Sequence, residues 1–122
     1  MPLRDPRGYL WDVVDNCQTI MQFCHGKILD DYNQDHMLRL ATERCLGIIG
    51  EALAQARQHF PESLEGMSDV NRIVGFRNRL IHAYVQLDNS TVWSIVETYI
   101  PALKDEAQAQ LAALERSVDE TD

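Results

Sequence analysis

No stretch of this 122-residue chain approaches the roughly 18 consecutive apolar residues that a membrane span needs. Its opening, MPLRDPRGYLWD, is polar and charged where a signal peptide carries its apolar region. Together these absences predict a cytoplasmic protein with no membrane partner. Cysteine is sparse: Cys17, Cys24 and Cys45 are odd in number and form no C-x-x-C pair, so they read as small buried apolar residues in a reducing compartment. His25, His36, His59 and His82 lack ligand spacings such as H-x3-H or H-E-x-x-H, and neither a metal site nor a cofactor is signalled. Positive charge is also short. Eleven Lys and Arg stand against 19 Asp and Glu, a net charge of −8, which argues against a broad non-specific nucleic-acid surface. A local one stays open, because the window from Asp69 to Val85 holds Arg72, Arg77 and Arg79 against a single acid.

With 45% hydrophobic residues the chain suits one domain that buries a core without disulfides or a structural metal. No segment alternates with a two-residue period for long enough to be a strand. Helical signals are plentiful. Asp5 as N-cap and Pro6 at the first helical position open an amphipathic helix that Gly26 can close with a left-handed cap. A connector, KILDDYNQD, with room for one helical turn, leads to a second long helix from His36 to His59, ended by Phe60-Pro61. Gly47 and Gly50 inside it imply close helix contact that offsets their low propensity. Ser68 is the expected N-cap of a third helix through Tyr84, and Asp88 or Ser90 that of a fourth, which Pro101 should kink or divide. The expected fold is an all-α, single-domain bundle of four to five helices over residues 1–117, followed by a frayed acidic tail at 118–122.

The third helix carries the unusual chemistry. At about 100° per residue, Ile73, Phe76, Leu80, Ala83 and Tyr84 fall on one arc, and Gly75, Asn78, Arg79 and His82 fall opposite. Asn78 and His82, four apart, are neighbours on the helix surface. Arg77 does not fit this division, because it projects from the apolar arc. A guanidinium cannot be neutralised, so a buried Arg77 requires a carboxylate partner, with Glu51 of the second helix one candidate. Otherwise the helix bends, or Arg77 lies at a seam between subunits. Each residue alone has an ordinary explanation: a snorkelling arginine, a solvated histidine, a core tyrosine with its hydroxyl at the edge.

Read together, Arg77, Asn78, His82 and Tyr84 resemble the R-x4-H-x-Y signature of the HepT-like members of the HEPN superfamily. The opening RDPRGYLWD, the IIGEA of Ile48 to Ala52, the GFRNRLIHAY block, and Val92-Trp93 followed by IPALK resemble the same family in the same order. One departure is VQLD after the tyrosine, where an aromatic and a glycine would be expected before the aspartate. The likeness covers nearly all of the chain except the acidic tail.

This resemblance implies a HEPN-like bundle and a metal-independent endoribonuclease, the toxin of a type VII-like toxin–antitoxin pair acting on an RNA such as a tRNA or mRNA. In such a reaction the 2′-hydroxyl of RNA attacks the adjacent phosphate, so the protein supplies a proton acceptor, a proton donor and positive charge. By this likeness His82 handles protons, Arg77 holds the phosphate oxygens, and Asn78 supports them. Arg79 and Arg72 would add charge for RNA. One chain supplies one such histidine, and the family likeness implies a homodimer that brings two motifs to one cleft. It also implies a minimal nucleotidyltransferase antitoxin that transfers AMP to Tyr84. A reading from another class also fits the residues: a non-catalytic helical adaptor that docks a nucleotidyltransferase or binds nucleotide.

Overall fold

The computed structural model describes residues 5–82 and 88–121, with side chains as far as residue 117. Six α-helices and no strand are found among the described residues: α1 (Pro6–Cys24), α2 (Leu29–Gln34), α3 (His36–His59), α4 (Val70–Ile81), α5 (Asn89–Thr98) and α6 (Ile100–Thr121), with a 3-10 turn at Pro61–Leu64. This is the all-α bundle expected from the sequence. None of its described helices is long and apolar enough to cross a membrane.

The helix ends follow local chemistry. Asp5 accepts the Arg7 backbone N–H at 2.9 Å with Pro6 in the first turn, Asp35 accepts that of Leu38 at 3.0 Å, and Asp88 accepts that of Ser90 at 3.0 Å. Each carboxylate satisfies a donor that the first helical turn leaves without an intrahelical partner. Gly26 takes φ 72° after α1, the left-handed cap its sequence position suggested. Pro101, which has no N–H to give, divides the last helix, and the chain re-enters the helical path at Ile100.

Two boundaries differ from expectation. The N-cap of α4 is Asp69, not Ser68. Ser68 is drawn to α6 instead, where its backbone N–H and hydroxyl donate to the two Glu106 carboxylate oxygens at 2.8 and 3.1 Å. Glu106 takes two charge-assisted hydrogen bonds from the serine, whereas the serine hydroxyl oxygen, as an N-cap, would accept one from a helix N–H. The other difference lies at the end of α4, which stops at Ile81, with His82 as its C-cap at φ −80° and ψ 94°. The expected continuation through Tyr84 is therefore not followed at His82, and Ala83 and Tyr84 lie outside the described residues. No glycine or proline marks this stop.

The core forms where α1 packs between α3 and α6 and where α4 closes on α3. Leu10, Val13, Ile20, Ile49, Leu53 and Val92 are fully buried in it. Cys17, Cys24 and Cys45 are buried free thiols, as expected. Tyr32 of α2 is also fully buried, its ring 5.4 Å from that of Trp93 on α5. Ile73, Val74 and Phe76 bury α4 in the same core against α3, and that places the motif.

Candidate active site

Arg77 leaves the apolar arc of α4 and lies across α3. Its Nη2 donates to Glu51 Oε2 in an ion pair, and its Nη1 donates to Asn78 Oδ1 at 2.8 Å. The arginine side chain is 23% exposed and the glutamate side chain 48%, so the charge is half-buried and paired. A carboxylate partner is what a guanidinium at this depth needs, and of the alternatives raised by the sequence the Glu51 pair is the one observed. Gly50 makes the approach feasible. A Cβ built there would stand 2.6 Å from the Arg77 Cγ, so any larger residue would collide with the stem of the arginine. The close helix contact expected at Gly50 is thus real, whereas a Cβ on Gly47 would meet nothing within 4 Å.

The Asn78 side chain accepts from Arg77, and its backbone carbonyl accepts the His82 N–H at 3.2 Å, as that of any residue four before a helix end does. His82 is exposed at the end of α4. Arg77, Asn78 and His82 therefore share the last turn and a half of one helix, with Glu51 holding the first of them. Arg77 has five N–H donors. Among the described residues its bonds are those to Glu51 and Asn78, which take two.

The remaining predicted residues separate. Arg79 is exposed on α4. Arg72 is turned toward the junction of α5 and α6, where its Nη1 donates to the Tyr99 hydroxyl at 2.7 Å, its guanidinium carbon stands 5.0 Å from the Tyr99 ring centre, and Asp69 lies 3.8 Å away. Its partners are not those of Arg77. Tyr84 lies outside the described residues.

Two grooves run along the outer stripe of α3, and Glu51 lines the first of them. One, of about 200 Å³, is lined by Tyr9 and Asp12 of α1 together with Arg44, Gly47, Glu51 and Gln55 of α3. The other, of about 340 Å³, is lined by Leu40, Glu43, Arg44 and Gly47 of α3 with Leu80 and Ile81 of α4. They meet on Arg44 and Gly47. Sequence reading did not single out Arg44, although its seven-residue spacing from Glu51 puts both on one face of a helix. Among the described residues no group of three His, Cys, Asp or Glu side chains gathers as a metal site would require.

Comparison with known proteins gives these observations a family. A protein-family model described as Ribonuclease HepT-like matches residues 13–110. Over 108 residues the chain is 31% identical to "Putative RNase MJ1380" of Methanocaldococcus jannaschii, covering 88% of this chain and 98% of that one. Over 101 residues it is 31% identical to "Probable ribonuclease HepT" of Thermococcus cleftensis, covering 83% and 91% respectively. "Putative RNase TTE0752" of Caldanaerobacter subterraneus is 28% identical over 106 residues, with 87% and 94% covered. No solved structure matches the chain. An all-helical bundle with Arg77, Asn78 and His82 on one helix end, matched by this model over most of its length, belongs to the HepT-like ribonuclease family.

Proposed function

We propose that this protein is an endoribonuclease that cuts RNA without a metal ion, and that it is the toxin of a type VII-like toxin–antitoxin pair. The observation that carries this reading is the shared helix end: Arg77 and Asn78 are bonded side chain to side chain, exposed His82 caps the same helix, and Arg77 has more N–H donors than its bonds to Glu51 and Asn78 use. RNA contains its own nucleophile. The 2′-hydroxyl attacks the neighbouring phosphorus, the bond to the 5′-oxygen breaks, and the products are a cyclic phosphate and a 5′-hydroxyl end. His82 takes or gives the proton, since imidazole exchanges protons around neutrality. Arg77 binds the phosphate oxygens through parallel hydrogen bonds and stabilises the charge that grows on them. Asn78 keeps the guanidinium oriented while Glu51 holds its other edge.

Cleavage needs an acid and a base, and one chain offers one His82. The reading therefore requires a homodimer whose two motifs face one cleft. Arg79, exposed on the same helix, adds charge for RNA there. Arg72 contributes only if RNA displaces it from Tyr99. Control belongs to a minimal nucleotidyltransferase antitoxin that transfers AMP to Tyr84, two residues after His82, where an added phosphate and base would compete with RNA for Arg77.

The test is expression of wild type and His82→Ala without any antitoxin, with growth followed and RNA ends sequenced. Growth arrest and cyclic-phosphate ends with wild type alone are expected. Identical RNA from the two strains would refute the nuclease. After co-expression with a partner nucleotidyltransferase, intact mass should show AMP-sized increments that Tyr84→Phe abolishes, and increments that survive this change would remove Tyr84 as the acceptor.

A further inference from the structure

The outer stripe of α3 has a feature that a single subunit leaves unexplained. Gly47 occupies a helix interior, where glycine is less favourable than alanine, and no described atom would touch a side chain built there. Gly50, one turn on, is accounted for by Arg77. Gly47 instead lies open between Arg44 and Glu51, at the meeting point of the two grooves.

Arg44 and Glu51 are seven residues apart, about two turns, and so lie on one face of α3. Their midpoint falls between Gly47 and Ile48. A two-fold axis through that point would lay a second α3 antiparallel across the first and set each Arg44 against the other chain's Glu51. The pairing is self-complementary, with two opposite-charge contacts per axis. Exposed apolar residues flank it, Leu40 at 53% and Ile81 at 57% exposure, both lining the second groove. Missing side-chain volume at Gly47 would let the helix backbones approach closely at the crossing point.

We propose that this stripe is the self-association face, with α3 crossing its copy antiparallel at Gly47 and Arg44 of the partner subunit bonding Glu51. The occupant is a second copy of this chain, because a two-fold axis sets the Arg44 and Glu51 of each copy against opposite charge with no other partner required. Glu51 Oε2 already takes Arg77, and its Oε1 takes Gln55 Nε2 at 3.1 Å. Arg44 of the partner subunit joins at Oε1. A continuous chain then runs from the partner's Arg44 through Glu51 to the motif arginine, so association orders the guanidinium that holds phosphate. Ile81, next to His82, lies along the same seam. This inference rests on the proposed two-subunit cleft and adds its location and its link to Arg77.

The test reads mass rather than RNA cleavage, which separates its failure from failure of the nuclease. Arg44→Glu and Glu51→Arg are each expected to sediment as single chains, because every copy of either variant meets like charge across the axis. Mixed in equal amounts, they regain both attractive pairs, and native mass spectrometry should show a two-chain species containing one of each. Gly47→Leu, at a position with room for it, should also give a single chain. Wild type as a single chain, retention of the two-chain mass by Arg44→Glu or Gly47→Leu, or no mixed species from two folded variants would each overturn the proposal. Should Glu51→Arg lose the helical circular dichroism of wild type, Arg44→Glu and Gly47→Leu decide alone: loss of the two-chain mass supports the face, and retention overturns it.

Discussion

Arg77 occupies the space that a side chain at residue 50 would fill: a Cβ on Gly50 would lie 2.6 Å from the Arg77 Cγ. One glycine on α3 thus sets how deeply the motif arginine of α4 is seated, and how close it comes to Glu51. The two positions act as one element of the site.

Gly50→Ala should therefore destabilise the fold. The obstructed atoms belong to the base of the arginine stem, which cannot swing away as a side-chain tip would. Overpacking of this kind costs about 1–3 kcal/mol, enough to outweigh the roughly 1 kcal/mol that alanine gains in helix propensity. Gly75→Ala is the comparison, because nothing lies within 4 Å of its Cβ, and it should gain about 1 kcal/mol. Urea denaturation of the two variants should shift the midpoint in opposite directions.

Replacing the guanidinium while keeping its charge should cost activity. Lysine cannot make parallel hydrogen bonds to a phosphate or span from Glu51 to Asn78. Arg77→Lys is expected to slow RNA cleavage about 100-fold, the scale of losing one oxyanion contact. A gel assay of purified protein on labelled RNA measures it, and a rate equal to wild type would show that charge alone suffices.

Tyr32 should be more stable as phenylalanine. The residue is fully buried, and its hydroxyl has no hydrogen-bond partner among the described residues. An unsatisfied buried hydroxyl costs about 1–3 kcal/mol, and Tyr32→Phe keeps the ring against Trp93. A gain of about 1 kcal/mol is expected in urea denaturation, and a loss would mean that the hydroxyl has a partner.

Burial pushes the Cys17 thiol up to about 12, only partly countered by the Lys104 charge. In the native chain Cys17 should resist a thiolate-specific reagent near neutral pH and react once unfolded, as the thiolate is the nucleophile. The sign for stability follows. The folded state keeps its proton where the unfolded chain has lost it, so Cys17 favours the fold below the ordinary thiol value of 9.0, and this contribution is lost as pH rises toward about 12. Cys17→Ala should flatten that alkaline decline in urea midpoints measured against pH.

Much of the frame was legible because it depends on short-range rules. Asp5-Pro6, Gly26, Phe60-Pro61 and Asp88 act within a few residues, and each ended or began a helix as read. The Arg77–Glu51 pair was legible for another reason: a charge that cannot be neutralised and projects from an apolar arc demands a carboxylate. Ser68 misled because its competing acceptor, Glu106, is 38 residues away. The contact of Arg72 with Tyr99 was not legible, since no local rule reveals a partner 27 residues on.

By itself the sequence determined an all-helical chain, the caps that delimit most of its helices, and a motif compact enough to sit on one of them. Periodicity and capping are properties of neighbours along the chain, so they survive without knowledge of the fold. Tertiary structure decided the rest. It committed Arg72 to Tyr99, drew Ser68 to Glu106, and gave Gly50 a purpose through Arg77 while leaving Gly47 open. Those outcomes depend on which helix lies across which, and at what distance. Packing settles that by burying apolar faces from across the whole chain.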